Sequence, residues 1–388
     1  MKILTVDVGT GTQDIFLYDS RLDLENGYKL VVPSPTMIVH RQLKEATRQG
    51  QAVLLTGVTM GGGPSAWAAE AHLRLGLPLY ATPEAARSFN DDLEAVRQMG
   101  VQVMSEDEAA HLPVSVVRLE LRDFDFNAIT RSVEHFGVSL DDLAAVAVAV
   151  FDHGDSPPDY SDRQFRFDYL DQRIREANRL SAFAYRAEDI PPIMTRLQAV
   201  VQSARSPSQR LPEGLPLVVM DTAPAAVLGA TFDPRVAARQ RVMIANVGNF
   251  HTLAFRLGPS RIEGVFEHHT GLLDLSRLET LLRALADGSL QHADVFGDHG
   301  HGALIYHSSP LPLNDDQEFG VVVTGPRRNL MRPSSLRPYF AVPFGDMMIA
   351  GCFGLLAAVA DVLPELSEPI RLSMRRAGSS GTAPWDVE

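Results

Sequence analysis

Cysteine is nearly absent: the 388-residue chain has one, Cys352. That single thiol excludes disulfide frameworks, thiolate zinc sites and cysteine-held iron–sulfur clusters within one chain. Lysine is scarce too, limited to Lys2, Lys29 and Lys44, so arginine carries most of the positive charge. No basic stripe offsets the net charge of −13. A general nucleic-acid or anionic-membrane surface is therefore not expected, while local anion sites remain compatible with it. No apolar run approaches the roughly 20 residues that span a bilayer, and the runs 143–151 and 347–360 read as core. The N-terminus shows no basic segment followed by an apolar stretch, so no signal peptide and a cytoplasmic location are expected. Nucleophile elbows, Walker loops and Rossmann fingerprints are missing as well.

What is present alternates strands with helices. The length exceeds what one hydrophobic core usually serves, which predicts two lobes. β-prone runs predict strands over 2–8, 14–18, 36–40, 52–56, 145–151, 215–220, 241–247, 252–257 and 320–324. Apolar spacing predicts helices over 42–48, 65–75, 84–99, 167–179, 193–204, 275–286 and 346–362. The class is α/β, with surface connections expected at 155–166 and 203–216.

The most informative segment is Asp7-Val8-Gly9-Thr10-Gly11-Thr12-Gln13-Asp14, set between two apolar runs. Its turn alternates two glycines with two threonines, so several backbone N–H groups and two hydroxyls can approach an anion without obstruction by a Cβ. Asp7, at the end of the first strand, is placed to hold Mg²⁺ through water. The same octapeptide also fits a plain hairpin turn whose Thr and Asp side chains bond their own backbone. A second strand–turn–strand, Asn246-Val247-Gly248-Asn249-Phe250-His251-Thr252, echoes it. Between the two, Asp221-Thr222-Ala223-Pro224 hands a strand over to a helix of small residues.

Three further groups carry chemistry. Met60-Gly61-Gly62-Gly63-Pro64 opens a helix after a strand, where backbone donors can hold a substrate phosphate or carboxylate; a flexible link reads the same way. Asp152-His153-Gly154 lies at the carboxyl end of a buried strand, a usual ligand position in open α/β sheets, with His153 a candidate general base. A polar strand terminus is the plainer alternative. Histidines cluster late in the chain, at His251, His268, His269, His299, His301 and His307. Imidazole beside carboxylate suits Zn, Fe or Ni, and His299 with His301 are the candidate ligands; cleft-lining histidines are the alternative.

In order and spacing these segments resemble the superfamily of actin, sugar kinases and heat-shock chaperone ATPases. The first phosphate hairpin corresponds to 7–14, the first connecting helix to 221–230 and the second hairpin to 246–252. The adenosine motif corresponds to Val321-Val322-Val323-Thr324-Gly325-Pro326-Arg327-Arg328, and the second connecting helix opens at Gly345-Asp346. The resemblance implies a two-lobed actin-like ATPase fold of duplicated ribonuclease H-like domains with insertions. It sets a first lobe at 1–236, a second at 237–370 and a loose tail at 371–388. It further implies ATP and Mg²⁺ as cofactors, with phosphates gripped by Gly9, Thr10, Gly11 and Thr12 and by Asn246, Gly248, Asn249, His251 and Thr252. Gly325 and Arg327 would lie near the adenosine. Asp7, Asp152, His153 and Asp221 are the candidate catalytic groups. Asn246 stands where the superfamily carries an Asp near Mg²⁺, which implies slow or absent turnover.

At finer grain the chain resembles the prokaryotic family DUF1786, labelled pyruvate formate-lyase activating enzyme, in 7–14, 59–64, 151–154, 267–270 and 324–328. That label implies a cluster held by three closely spaced cysteines, which this sequence cannot supply. The expectation is an ATP-dependent small-molecule kinase or an ATPase with a protein partner. A histidine-ligated metal enzyme or a non-catalytic nucleotide sensor on the same fold are the alternatives, and oligomeric state is left open.

Overall fold

The computed structural model describes residues 1–313, 318–375 and 385. Its first sheet contains β1 (Lys2–Val8), β2 (Thr12–Asp19) and β3 (Tyr28–Pro33). The chain then leaves to build a second, wholly parallel sheet from β4 (Val53–Gly57), β5 (Leu79–Ala81), β6 (Gln102–Val103) and β7 (Val117–Leu121), in the order β6-β5-β4-β7. It returns to the first sheet with β8 (Leu143–Val150), β9 (Ala184–Arg186) and β10 (Leu217–Asp221), giving the order β3-β2-β1-β8-β10-β9.

The second lobe is built from β11 (Val242–Val247), β12 (His251–Gly258), β13 (Arg261–His269), β14 (Gly302–Ile305), β15 (Val321–Thr324) and β16 (Pro338–Phe340). Their order is β14-β13-β12-β11-β15-β16. In both lobes a three-strand antiparallel meander continues, through its first strand, into a parallel pair: β1 beside β8 and β10, β11 beside β15 and β16. That repeated order is the ribonuclease H-like duplication of a two-lobed actin-like fold.

Two helices cross between the lobes. The first, Thr222–Ala230, leaves the end of β10; the second, Ala350–Val362, packs on the first sheet although its sequence follows the second lobe. The alternation of β8 explains how the second helix comes so close. Ala145, Ala147 and Ala149 present one face of small side chains to it, while Val146, Val148 and Val150 fill the opposite core. The helices themselves meet at glycines. A Cβ on Gly229 would lie 1.7 Å from the Ala350 carbonyl oxygen, and one on Gly354 would lie 1.8 Å from that of Ala225.

The strand expected at 36–40 is instead the start of helix Pro35–Arg48. Ser34 caps that helix by accepting from the Met37 amide, and Pro35 occupies its first turn, so capping chemistry overrides β-branched composition. The expected helix 84–99 is two short helices, Pro83–Ala86 and Leu93–Gln98; Asn90 and Asp92 break it and Asp92 caps the second. Nor is the connection 155–166 wholly superficial: helix Asp162–Glu176 begins inside it and buries Arg166 completely. At the C-terminal end helix Pro364–Arg375 takes the first residues of the expected tail, and the remainder, Trp385 excepted, lies outside the described residues.

Candidate functional site: two hairpins, two cavities and a histidine cluster

The two hairpins use one turn. Gly9 donates its amide to the Thr12 carbonyl at 2.9 Å, and Gly248 donates to the His251 carbonyl at 3.0 Å. The first turn is held from outside by Ser34, whose hydroxyl donates to the Thr10 carbonyl at 2.5 Å and whose amide donates to Gly11 at 3.2 Å. The tips face each other across the lobes so closely that a Cβ at Gly11 would sit 2.8 Å from the Asn249 side-chain amide. Phe250 extends the second tip into the inserted domain, 5.4 Å edge-on to Trp67 and against Gly63.

Asp7 and Asp14 lie directly opposite each other in the β1–β2 register, a like-charge pairing that is unfavourable unless a cation or proton offsets it. Burial foremost, then the nearby Asp221 charge, pushes Asp7 up to about 7 despite the 2.6 Å hydrogen bond donated by Thr222. Burial foremost, then Asp7, pushes Asp14 up to about 8, and its Oδ1 is buried with no partner. Two buried carboxylates with an orphaned oxygen suit a hard, oxygen-seeking cation such as Mg²⁺.

Two cavities meet at the hairpins. A small one, about 90 Å³, is lined by Asp7, Gly11, Thr12, Asp14, Thr324, Gly325, Arg328 and Gly351. A large one, about 1030 Å³, is lined by the Gly61–Gly63 loop, Asp91, Asp152, His153, Arg196 and His251. Gly9, Thr10, Thr222, Asn246 and Asn249 line both. Other expected residues do different work. Thr252 is buried and hydrogen-bonded to Thr270 at 2.8 Å, and Gly248 serves the turn. Arg327 is exposed and contributes its amide to the Val247 carbonyl, while its neighbour Arg328 lines the small cavity. The Gly61 amide, expected to hold a substrate anion, instead donates to the protein's own Asp123 carboxylate at 3.2 Å, which Arg196 also pairs at 2.6 Å.

Asp152 and Asp221 reach the carboxyl end of the first sheet, but their oxygens are engaged. Asp152 accepts from the Gly154 and Leu197 amides at 2.9 Å. Asp221 caps its helix through the Ala223 amide and meets Arg166 at 2.7 Å. Arg166 also meets Glu267 of β13 at 2.7 Å, donates to the Asp152 carbonyl and stacks 4.0 Å over Phe151. Burial would lower this guanidinium, but Asp221 and Glu267 outweigh it and its value is raised. Arg166 thus clasps the two lobes, a role invisible in sequence because its partners come from distant strands. Asp91 was also missed: burial, then Asp155 and Asp162, pushes this cavity carboxyl up to about 6.

Histidines gather beside the clasp. His153 of the first lobe and His251 and His301 of the second bring ring nitrogens within 4.8 Å of one another. His251 stacks on Phe151 at 4.2 Å, and His269 packs against His251 and His301. Burial, then Arg166, pushes His153 down to about 3 and holds it neutral. The expected pair His299 and His301 is not brought together. His299 is exposed with φ 62°, and Gly300 follows it, so the strand periodicity that would align the two is broken.

A family model described as "Putative pyruvate format-lyase activating enzyme (DUF1786)" matches residues 60–330. The chain belongs to this family. No curated protein matches this DUF1786 chain. Among solved structures, the chain is similar to ethanolamine utilization protein EutJ from Carboxydothermus hydrogenoformans, at 10% identity and TM-score 0.33, over 92% of this chain and 89% of that one. It is also similar to the ROK hexokinase from Thermus thermophilus, at 12% identity and TM-score 0.23, over 68% of this chain and 47% of that one. The fold of this DUF1786 member rests on its strand orders and helix crossing, not on these likenesses.

Proposed function

We propose that this protein binds Mg-ATP between its two hairpins and transfers the terminal phosphoryl group to a small molecule held in the large cavity. The observation that supports this reading is the back-to-back arrangement of the cavities: Gly9, Thr10, Thr222, Asn246 and Asn249 form their common wall. The small cavity would take the phosphates and, through Gly325 and Arg328, the adenosine side. At about 90 Å³ it is below the roughly 300–1,000 Å³ of pockets that bury a whole drug-sized ligand, so nucleotide entry requires the lobes to part. Asp7 and Asp14 would organise Mg²⁺, which neutralises charge on the phosphates in phosphoryl transfer.

With Asp152 and Asp221 committed to backbone and Arg166, and His153 a weak base, catalysis would rest on positioning and charge neutralisation. Asn246 in place of a carboxylate favours slow turnover. The activity in the family's label finds no support: the one thiol, Cys352, is buried, and burial foremost pushes it well above its usual range. A cytoplasmic setting without nucleic-acid or membrane partners belongs to this proposal; among the described residues no helix is long and apolar enough to cross a membrane. Screening small metabolites for stimulated ADP release tests it, and a substrate should raise turnover in the wild type but not after the large cavity is blocked by Gly62→Trp.

The carboxylate pair also sets a pH dependence. Both folded values lie above the ordinary 3.8, so the stability these groups contribute is full below about 4 and is lost as pH rises through 7 and 8. Mg²⁺ displaces both protons, so its affinity should rise about fiftyfold from pH 6 to 7 and about tenfold from 7 to 8, and level off above that. Calorimetric titration of Mg²⁺ into wild type and Asp14→Asn checks this; the variant should lose most of the dependence.

A further inference from the structure

We propose that His153, His251 and His301 form a binding site for one late divalent transition-metal ion of the zinc class, built from both lobes and open to the large cavity. The ring nitrogens lie within 4.8 Å of one another, and the Nε2 atoms of His153 and His301 are 3.4 Å apart. Two nitrogens bound at about 2.0–2.1 Å to a tetrahedral ion lie about 3.3 Å apart, so this pair already stands at ligand spacing. Imidazole nitrogens select zinc-class ions over Mg²⁺, which prefers oxygen.

The surroundings point the same way. His301 is fully buried with its Nδ1 unpartnered, and Glu267 is fully buried with its Oε1 unpartnered, 3.8 Å from the His301 Nε2. Each ring brings one nitrogen to the cluster, so one N–H···N pair leaves the third nitrogen unmatched, whereas one cation takes a lone pair from each. Glu267 supplies a negative charge beside it, its other oxygen being held by Arg166. Three histidines leave a fourth coordination position. Since His153 and His251 line the large cavity, that position faces it and suits an oxygen donor of the cavity's occupant. Because His153 follows β8 while His251 opens β12 and His301 precedes β14, the ion would also tie the lobes together.

This inference does not rest on the nucleotide reading, and its test omits nucleotide. Chelator-treated protein is titrated with Co²⁺, followed by visible ligand-field absorption, then by Zn²⁺ competition and thermal unfolding. Wild type should bind one equivalent with the intense bands of a nitrogen-ligated tetrahedral site, and Zn²⁺ should displace it and raise Tm. His153→Gln and His251→Asn should each lower affinity at least about tenfold. Exposed His111→Ala should bind as wild type. Folded wild type without a cobalt spectrum, or unchanged binding in His153→Gln and His251→Asn, would overturn the site.

Discussion

Arg166→Met should cost about 3–5 kcal/mol of folding stability, the range for removing one partner of a buried ion pair. Arg166 is fully buried and holds Asp221 from the end of β10 and Glu267 from β13 of the second lobe, each at 2.7 Å. Methionine keeps much of the volume and the contact with Phe151 but leaves two buried carboxylates without a counter-charge. Glu267 already sits at about 7, raised by burial with Arg166 opposing, so in the variant it would hold its proton through neutral pH. Urea unfolding checks the magnitude. Adding Glu267→Gln should recover little at neutral pH, where Glu267 is already protonated, and part of the loss above about pH 8, where it removes a stranded charge. An Arg166→Met protein as stable as wild type would show that the clasp does not hold the lobes.

Asp7→Asn should weaken Mg-ATP binding about 10–100-fold, the usual cost of removing a group that orients a metal through its outer shell. The substitution is nearly isosteric and keeps an oxygen for the Thr222 hydroxyl, which matters because Gly351 of the second crossing helix passes directly over this side chain. Its effect on the metal-free fold should have the opposite sign. Asp7 is a buried carboxyl with a raised value, so above pH 7 its charge burdens the folded state, and asparagine removes that burden. Thermal unfolding at pH 8 without Mg²⁺ should therefore show the variant at least as stable as wild type. Weak binding together with high stability separates a cofactor defect from a folding defect.

The parts of this molecule that were legible in sequence are those whose signal is local. Gly9–Thr12 and Gly248–His251 announce their turns within four residues, and the strand-to-helix handover at Asp221 is written in a cap and small side chains. What escaped was set by distance or by brevity. The inserted sheet includes β5 and β6, of three and two residues, too short to show a period. The clasp joins Arg166 to residues 55 and 101 positions away, and His153 meets His301 across 148 positions. The Asp7–Asp14 opposition was readable in principle, because equal spacing about the turn places the two carboxylates face to face. Helix Pro35–Arg48 shows a cap defeating composition, since 36–40 is β-prone until Ser34 and Pro35 are weighed.

If the two hairpins act as one phosphate clamp around a cation, ATP binding depends on Mg²⁺. The most direct measurement is calorimetric titration of wild type with ATP at pH 8, with and without Mg²⁺. The clamp should give saturable binding to one site that depends on Mg²⁺ and weakens in Asp7→Asn. Absence of binding at millimolar ATP, or binding indifferent both to Mg²⁺ and to Asp7→Asn, would contradict it.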